Sequence, residues 1–194
     1  MACYVYVFPC GWEDHCKVGF SGSPLMRLRQ LHRRWFEFFD LEGGRLVETE
    51  TVRDARDVEL ELRRRLVAFN APAPLTVRRE AAGHTEWYRG ASAVLDDALM
   101  ALARRGHRLH ALQPWLRDAL LARCDQLYDW TLAQLSFEEL DGLSGPTPTQ
   151  DLVRDELDGY VALGLEVRSL LSPRVADWFS APSAPLSRPQ VPGR

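Results

Sequence analysis

The sequence predicts an α/β (α+β) domain followed by a helical extension, and three observations lead there. The first hundred residues alternate short aromatic and β-branched runs with longer amphipathic patterns. Gly, Ser and Pro clusters separate those runs, as they do between strands and helices. From about Pro114 onward only helical periodicity remains. Residues 1–106 are therefore expected to form a small three-stranded, mainly antiparallel sheet flanked by helices. Residues 107–180 are expected to be an acidic helical extension, and residues 181–194 a disordered Pro-rich tail with little to bury.

The first strand is read in CYVYVFP, which ends at Pro9, and the second in CKVGF, with GWEDH as the turn that makes them a hairpin. SGSP breaks the pattern and offers Ser23 as N-cap and a proline at the first helical position. The helix PLMRLRQLHRRWFEFF carries Leu25, Leu28, Leu31, Trp35 and Phe39 at three- and four-residue spacing, with Arg27, Arg29, Arg33 and Arg34 on another face. GGRLVETETV turns and then alternates, which gives a third strand. RDARDVELELRRRLVAF is a helix with Val58, Leu62 and Leu66 on its apolar side. Glu59 and Glu61 are expected on its surface, bonded to Arg63 or Arg65. NAPAPLT reads as a loop, and ASAVLDDALMALARRG as a helix closed by Gly106. In the extension, PWLRDALLARCDQLYDWTLAQL and TQDLVRDELDGYVALGLEVRSLL are helical patterns, and Ser136 with Glu139 fits a capping box.

Composition narrows the function classes. With 194 residues, 46% apolar and 26% charged, the chain is an ordinary globular one. No apolar run is long enough to span a membrane. The N-terminus lacks the basic segment and apolar core of a secretory signal, so a cytoplasmic location is expected. Cys3, Cys10 and Cys16 crowd the first hairpin, but the spacing is not C-x-x-C and no second ligand pair follows. Buried thiols in a reducing compartment are the better reading. The net charge of −3 is uneven: residues 1–110 hold 17 Arg/Lys and 15 Asp/Glu, net +2, and residues 111–194 hold 7 and 12, net −5. The basic residues of the first part are nearly all Arg, the side chain suited to bidentate phosphate contacts.

Phosphodiester hydrolysis needs an oriented, deprotonated water, neutralised charge on the phosphoryl group and a stabilised leaving oxygen. A divalent cation on a fixed carboxylate supplies part of this. The chain presents, in order, a Tyr-bearing strand, a K-V-G strand, an Arg on the first helix and a Glu after two further elements. YVY, KVG, SPLMRLRQL and TEWYR together resemble the GIY-YIG endonuclease superfamily, in the T5orf172/Mug113-like branch of phage and bacterial proteins. The resemblance covers residues 3–90.

The resemblance implies a fold and a set of roles. Tyr6 would orient or deprotonate the attacking water. Lys17 stands where many members carry the second-motif tyrosine, and Gly19 is the motif glycine. Arg27 would engage the scissile phosphate, and Glu86 would be the sole metal-binding carboxylate, holding Mg²⁺ (or Mn²⁺). The activity implied is a single-metal, metal-dependent endonuclease acting on DNA, double-stranded in the first instance. Two positions depart from the family. Leu31, with His32 beside it, stands where many members have His or Tyr, and Arg63 stands where the branch tends to have His in E-x-x-L-H. Those departures support the alternative: a catalytically weak or inactive module of the same fold that binds nucleic acid or a protein. Residues 107–180 are the expected place for a homodimer contact or a protein partner.

Overall fold

The structure, a computed structural model, describes residues 2–77 and 86–181. His84 and the tail from residue 182 lie outside the described residues. The chain divides into two compact units, residues 1–122 and residues 123–194.

The first unit is α+β, as expected, but its sheet has six strands among the described residues, not three. They are β1 (Cys3–Pro9), β2 (His15–Ser21), β3 (Arg45–Thr49), β4 (Asn70–Ala71), β5 (Trp87–Arg89) and β6 (Leu109–Ala111). Their order is β4-β5-β2-β1-β3-β6, and every pairing is antiparallel. The three additional strands are two or three residues long, too short for a period of two to show in the sequence. β6 lies beyond residue 106 and pairs with β3, so the first unit runs on through α5 (Leu112–Leu121).

The expected long first helix is two helices. α1 (Pro24–Leu31) stops because His32 is extended (φ −149°, ψ 136°), and α2 (Trp35–Phe38) follows after three residues, His32, Arg33 and Arg34. Ser23 sits at the N-cap, but its side chain accepts no capping bond; its own backbone N–H donates to the Ser21 hydroxyl instead. The apolar stripe holds across the break, with Leu25, Leu28, Leu31, Trp35 and Phe39 all buried.

α3 (Val52–Arg65) starts in a capping box. The Thr51 hydroxyl accepts from the Asp54 backbone, and the Asp54 carboxylate accepts from the Thr51 backbone. α4 (Ser92–Arg104) closes at Gly106, whose φ of +93° is the left-handed conformation that favours glycine.

Strand alternation gives the sheet two faces. Val5, Val7, Cys16, Val18, Val47 and Tyr88 pack with Ala55, Val58 and Leu62 of α3 and Leu95, Ala98 and Leu99 of α4. The other face carries Tyr6, Phe8, Lys17, Gly19, Leu46 and Trp87, tied by the pairs Tyr6↔Gly19, Phe8↔Lys17, Lys17↔Trp87 and Tyr6↔Leu46. There the Tyr6 ring stacks on Phe8 at 4.2 Å, and Phe39 packs against both Phe8 and Trp87. Buried side chains on both faces hold the central strands β1 and β2 between two packed layers.

The second unit is helical: α6 (Leu127–Gln134), α7 (Phe137–Leu140), α8 (Pro148–Ala162) and α9 (Pro173–Ser180). Ser136 and Glu139 form the expected capping box, and Thr147 with Gln150 forms a second. Val153, Leu157, Tyr160, Val175 and Trp178 make its buried centre. Arg154 lies over the Trp178 ring at 4.3 Å and donates to the carbonyls of Trp178 and Phe179. No helix among the described residues is long and apolar enough to cross a membrane.

Candidate active site

The site is built around Tyr6. Its residue is 2% exposed, and its hydroxyl accepts a hydrogen bond from Arg27 Nε at 3.2 Å. A Cβ added to Gly19, the residue opposite, would fall on the Tyr6 hydroxyl and lie 2.7 Å from its Cζ. The motif glycine therefore makes the room in which the phenol lies across β2. We expect Gly19→Ala to cost about 1–3 kcal/mol of stability, as overpacking in a filled core does, and to displace the hydroxyl. Denaturant unfolding checks this; unchanged stability would show that the ring moves freely aside.

Burial pushes the Tyr6 pKa above its ordinary value of 10, more than the Arg27 charge and hydrogen bond pull it down. The phenol is thus protonated at neutral pH. In that state it can orient a water by hydrogen bonding. No alkaline limb from Tyr6 belongs in a pH–rate profile below pH 10.

Lys17 is fully buried on the same face, and its Nζ donates to Glu86 Oε2 at 2.8 Å. Glu86 precedes β5, and its backbone carbonyl accepts from the Val18 N–H, which fixes it beside β2. Desolvation lowers the Lys17 pKa, with Glu86 opposing that shift. Glu86 is thus held by Lys17, not by its sequence neighbour Arg89. Arg27 comes from α1, and its guanidinium also reaches Gln30 Oε1 at 3.3 Å.

α3 contributes two groups. The first corrects the sequence reading. Glu59 is not a surface carboxylate bonded to Arg63 or Arg65, since it is only 6% exposed. No described residue donates a hydrogen bond to it, and it lies in the field of Glu86, Arg63 and Lys17. Desolvation raises its pKa, and the Glu86 charge adds to the rise. Glu61, by contrast, bonds to Arg65 as expected and to Arg105 as well. The signal for Glu59 was in the sequence. It continues the apolar positions Ala55, Val58 and Leu62 at helical spacing, so a carboxylate there must face inward.

The second group is Arg63, whose Nη1 lies 3.7 Å from Glu86 Oε1. It also faces the Tyr88 phenol, whose pKa burial raises and Arg63 draws back down. The structure therefore gathers Tyr6, Lys17, Arg27 and Glu86 into one cluster and adds Glu59, Arg63 and Tyr88.

Other residues stay out of it. Leu31 is a core residue, 1% exposed, and His32 stacks on Phe38 at 4.4 Å. His110 hydrogen-bonds Glu48 at 2.7 Å, on the far side of β1. Cys3, Cys10 and Cys16 are buried free thiols, and burial pushes Cys10 and Cys16 up to about 12, too high for thiolate chemistry. Among the described residues no group of three His, Cys, Asp or Glu side chains could hold a metal ion.

The sequence model of the T5orf172 domain matches residues 3–103, the span that contains every member of this cluster. The chain belongs to the T5orf172 family. This is a nuclease-like family, and its match ends within α4, short of β6 and the second unit. Neither a curated protein nor a solved structure gives a match.

The carboxylates of the cluster have the chemistry of a hard-cation site. Glu59 and Glu86 supply hard oxygen donors, and Glu59 lies in the field of the Glu86 charge. One of them is nine-tenths buried with no hydrogen-bond donor among the described residues. Such a pair suits Mg²⁺ or Mn²⁺, which binds through one or two carboxylates, waters and substrate phosphate. Lys17 occupies Glu86 Oε2 and leaves Oε1 turned to Arg63. The set fits a hydrated hard cation and not a soft or tetrahedral one.

Proposed function

We propose that this T5orf172 protein is a metal-dependent endonuclease that hydrolyses phosphodiester bonds of DNA. The observation that carries the reading is the convergence of Tyr6, Arg27, Lys17 and Glu86 from four separate elements into one cluster, with Glu59 buried beside them. Glu59 lies 6% exposed in the field of Glu86, Arg63 and Lys17, which places a second carboxylate at the cluster.

Each residue has a role that its surroundings support. The protonated Tyr6 hydroxyl holds the attacking water by donating or accepting a hydrogen bond. Lys17, held on Glu86 Oε2, brings a positive charge that can offset charge on the phosphoryl group. Arg27 binds the non-bridging phosphate oxygens while anchored by Tyr6. Glu59 and Glu86 would hold Mg²⁺ or Mn²⁺, which when bound neutralises charge on the phosphate. The resemblance implies Glu86 as the sole metal carboxylate; in this reading it would share that role with Glu59. One site cuts one strand, so a double-strand break needs a second copy or a second visit.

The test is incubation with supercoiled plasmid in Mg²⁺, in Mn²⁺ and in EDTA, beside a matched single-stranded RNA. Metal-dependent nicking of the plasmid is the expected result. Salt-sensitive retention of DNA without cleavage in any metal would favour the binding module instead. Tyr6→Phe should slow nicking about 10–100-fold at every pH from 6 to 9. A variant whose profile changes shape in that range would mean that the phenol ionises there.

A further inference from the structure

The turn between β1 and β2 carries the most exposed tryptophan of the chain. Trp12 is 60% exposed, whereas Trp35, Trp87 and Trp178 are buried. We infer that Trp12 is a stacking platform for one base turned out of the double helix, so that the preferred substrate is DNA with an unpaired nucleotide near the cut. The inference rests on the nuclease reading above and names its substrate more closely.

Exposure alone says little, since single apolar side chains are common on protein surfaces. The placement of the ring carries the inference. Trp12 packs edge-to-face with Phe38 at 5.4 Å, Phe38 with Phe39 at 4.7 Å, Phe39 with Phe8 at 5.7 Å and Phe8 with Tyr6 at 4.2 Å. This series ties the turn to the face of the sheet that carries Tyr6. Four such steps put Trp12 within roughly six nucleotides of the Tyr6 ring, at about 3.4 Å per nucleotide. A second route runs through α1. Arg27 lies on that helix, and His32, the residue after it, stacks on the same Phe38 ring that braces Trp12.

The turn is also fixed. Cys10 N–H donates to the His15 carbonyl at 2.8 Å, and Gly11 N–H to the Phe38 carbonyl at 2.9 Å. Gly90 N–H, just past β5, donates to the Asp14 carbonyl at 3.3 Å. An indole held in this way loses little freedom when a base closes on it. Glu13 and Asp14 follow Trp12 in the turn, and their charges keep the phosphate chain off the tip. What can close on the ring is therefore a base. Inside a duplex both faces of a base are covered by its neighbours, so the base must leave the stack to reach an aromatic side chain.

The experiment compares hairpin-capped DNA duplexes that are fully paired or carry one extra, unpaired 2-aminopurine nucleotide. Binding is measured in EDTA, and nicking of the same duplexes in Mg²⁺. Wild type should bind the bulged duplex about 10-fold more tightly than the paired one, with quenching of the 2-aminopurine as it stacks. Trp12→Ala and Trp12→Leu should both bring the bulged duplex down to the paired value and leave binding of the paired duplex unchanged. Trp12→Phe, which keeps a smaller ring, should retain a preference of at least about 3-fold.

Equal binding of the two duplexes by wild type would overturn the inference, and so would an equal loss on both in Trp12→Ala. Trp12→Leu with the wild-type preference would overturn it too, because apolar bulk and not stacking would then be at work. In each of these cases metal-dependent nicking by wild type would leave the nuclease reading standing. The bulge preference without nicking in Mg²⁺ or Mn²⁺ would support the contact and overturn the nuclease reading. No binding of either duplex would overturn both. Thermal unfolding of each variant checks the fold, which the exposure of Trp12 should leave intact.

Discussion

Glu86→Ala unfolds more easily than wild type, by about 3 kcal/mol, and Glu86→Gln, which keeps an oxygen acceptor but not the charge, by less. The difference follows from Lys17, which is fully buried with its ammonium on Glu86 Oε2. Removing the carboxylate leaves that charge inside the protein without its counter-ion. An amide keeps an oxygen acceptor in the same place. For a chain of this size the alanine variant should melt about 6–12 °C lower. Both variants should lose at least about 100-fold in cleavage rate, because each removes a negative charge that the site uses. Thermal unfolding beside a nicking assay separates the two effects. Equal melting temperatures for all three proteins would mean that Lys17 finds its compensation elsewhere.

Glu59→Gln has the opposite signature: a more stable protein that does not cleave. The residue is 6% exposed, and desolvation and the Glu86 charge both disfavour its charged form in the folded protein. Replacing it with a neutral amide should add about 1 kcal/mol, or roughly 2–4 °C in Tm, near neutral pH. The pH dependence follows from the raised pKa. Glu59 binds its proton more tightly in the folded state than in the unfolded one. Its contribution is therefore fully present below the ordinary value of 4.5 and is lost as pH climbs through the raised value. The gain from Glu59→Gln should thus be visible at pH 8 and vanish toward pH 4. A substitution that destabilises at pH 8 would show that Glu59 is a structural residue, and its role in the site would fall with it.

Much of the site was legible because its residues sit at sequence positions with local meaning. Tyr6, Lys17 and Gly19 fall on one hairpin whose register the strand patterns already imply, and Arg27 lies on the helix that follows. What joins Glu86 to Lys17 is a pairing across 69 residues, which no local pattern encodes. The outer strands were invisible for a related reason. β4 and β6 exist only because β5 and β3 offer edges to them, and two or three residues cannot show a period of their own.

Glu59 is different, because its place on the apolar stripe was readable. Its proximity to Arg63 in sequence suggested a surface ion pair, the commoner fate of such a pair on a helix. The break after Leu31 also follows from tertiary structure. Helical periodicity runs through the break, and only the extended backbone at His32 turns the second helix so that Phe38 can stack on the His32 ring.

The central claim is that this cluster performs metal-assisted phosphodiester cleavage, and Glu86→Gln tests it most directly. Plasmid nicking in Mg²⁺ would be measured for wild type and for this variant, with DNA retention and Tm measured on the same preparations. Nicking by wild type that EDTA abolishes is expected, with loss of nicking in Glu86→Gln, DNA retention unchanged and a Tm lowered less than in Glu86→Ala. Nicking by Glu86→Gln at the wild-type rate would contradict it.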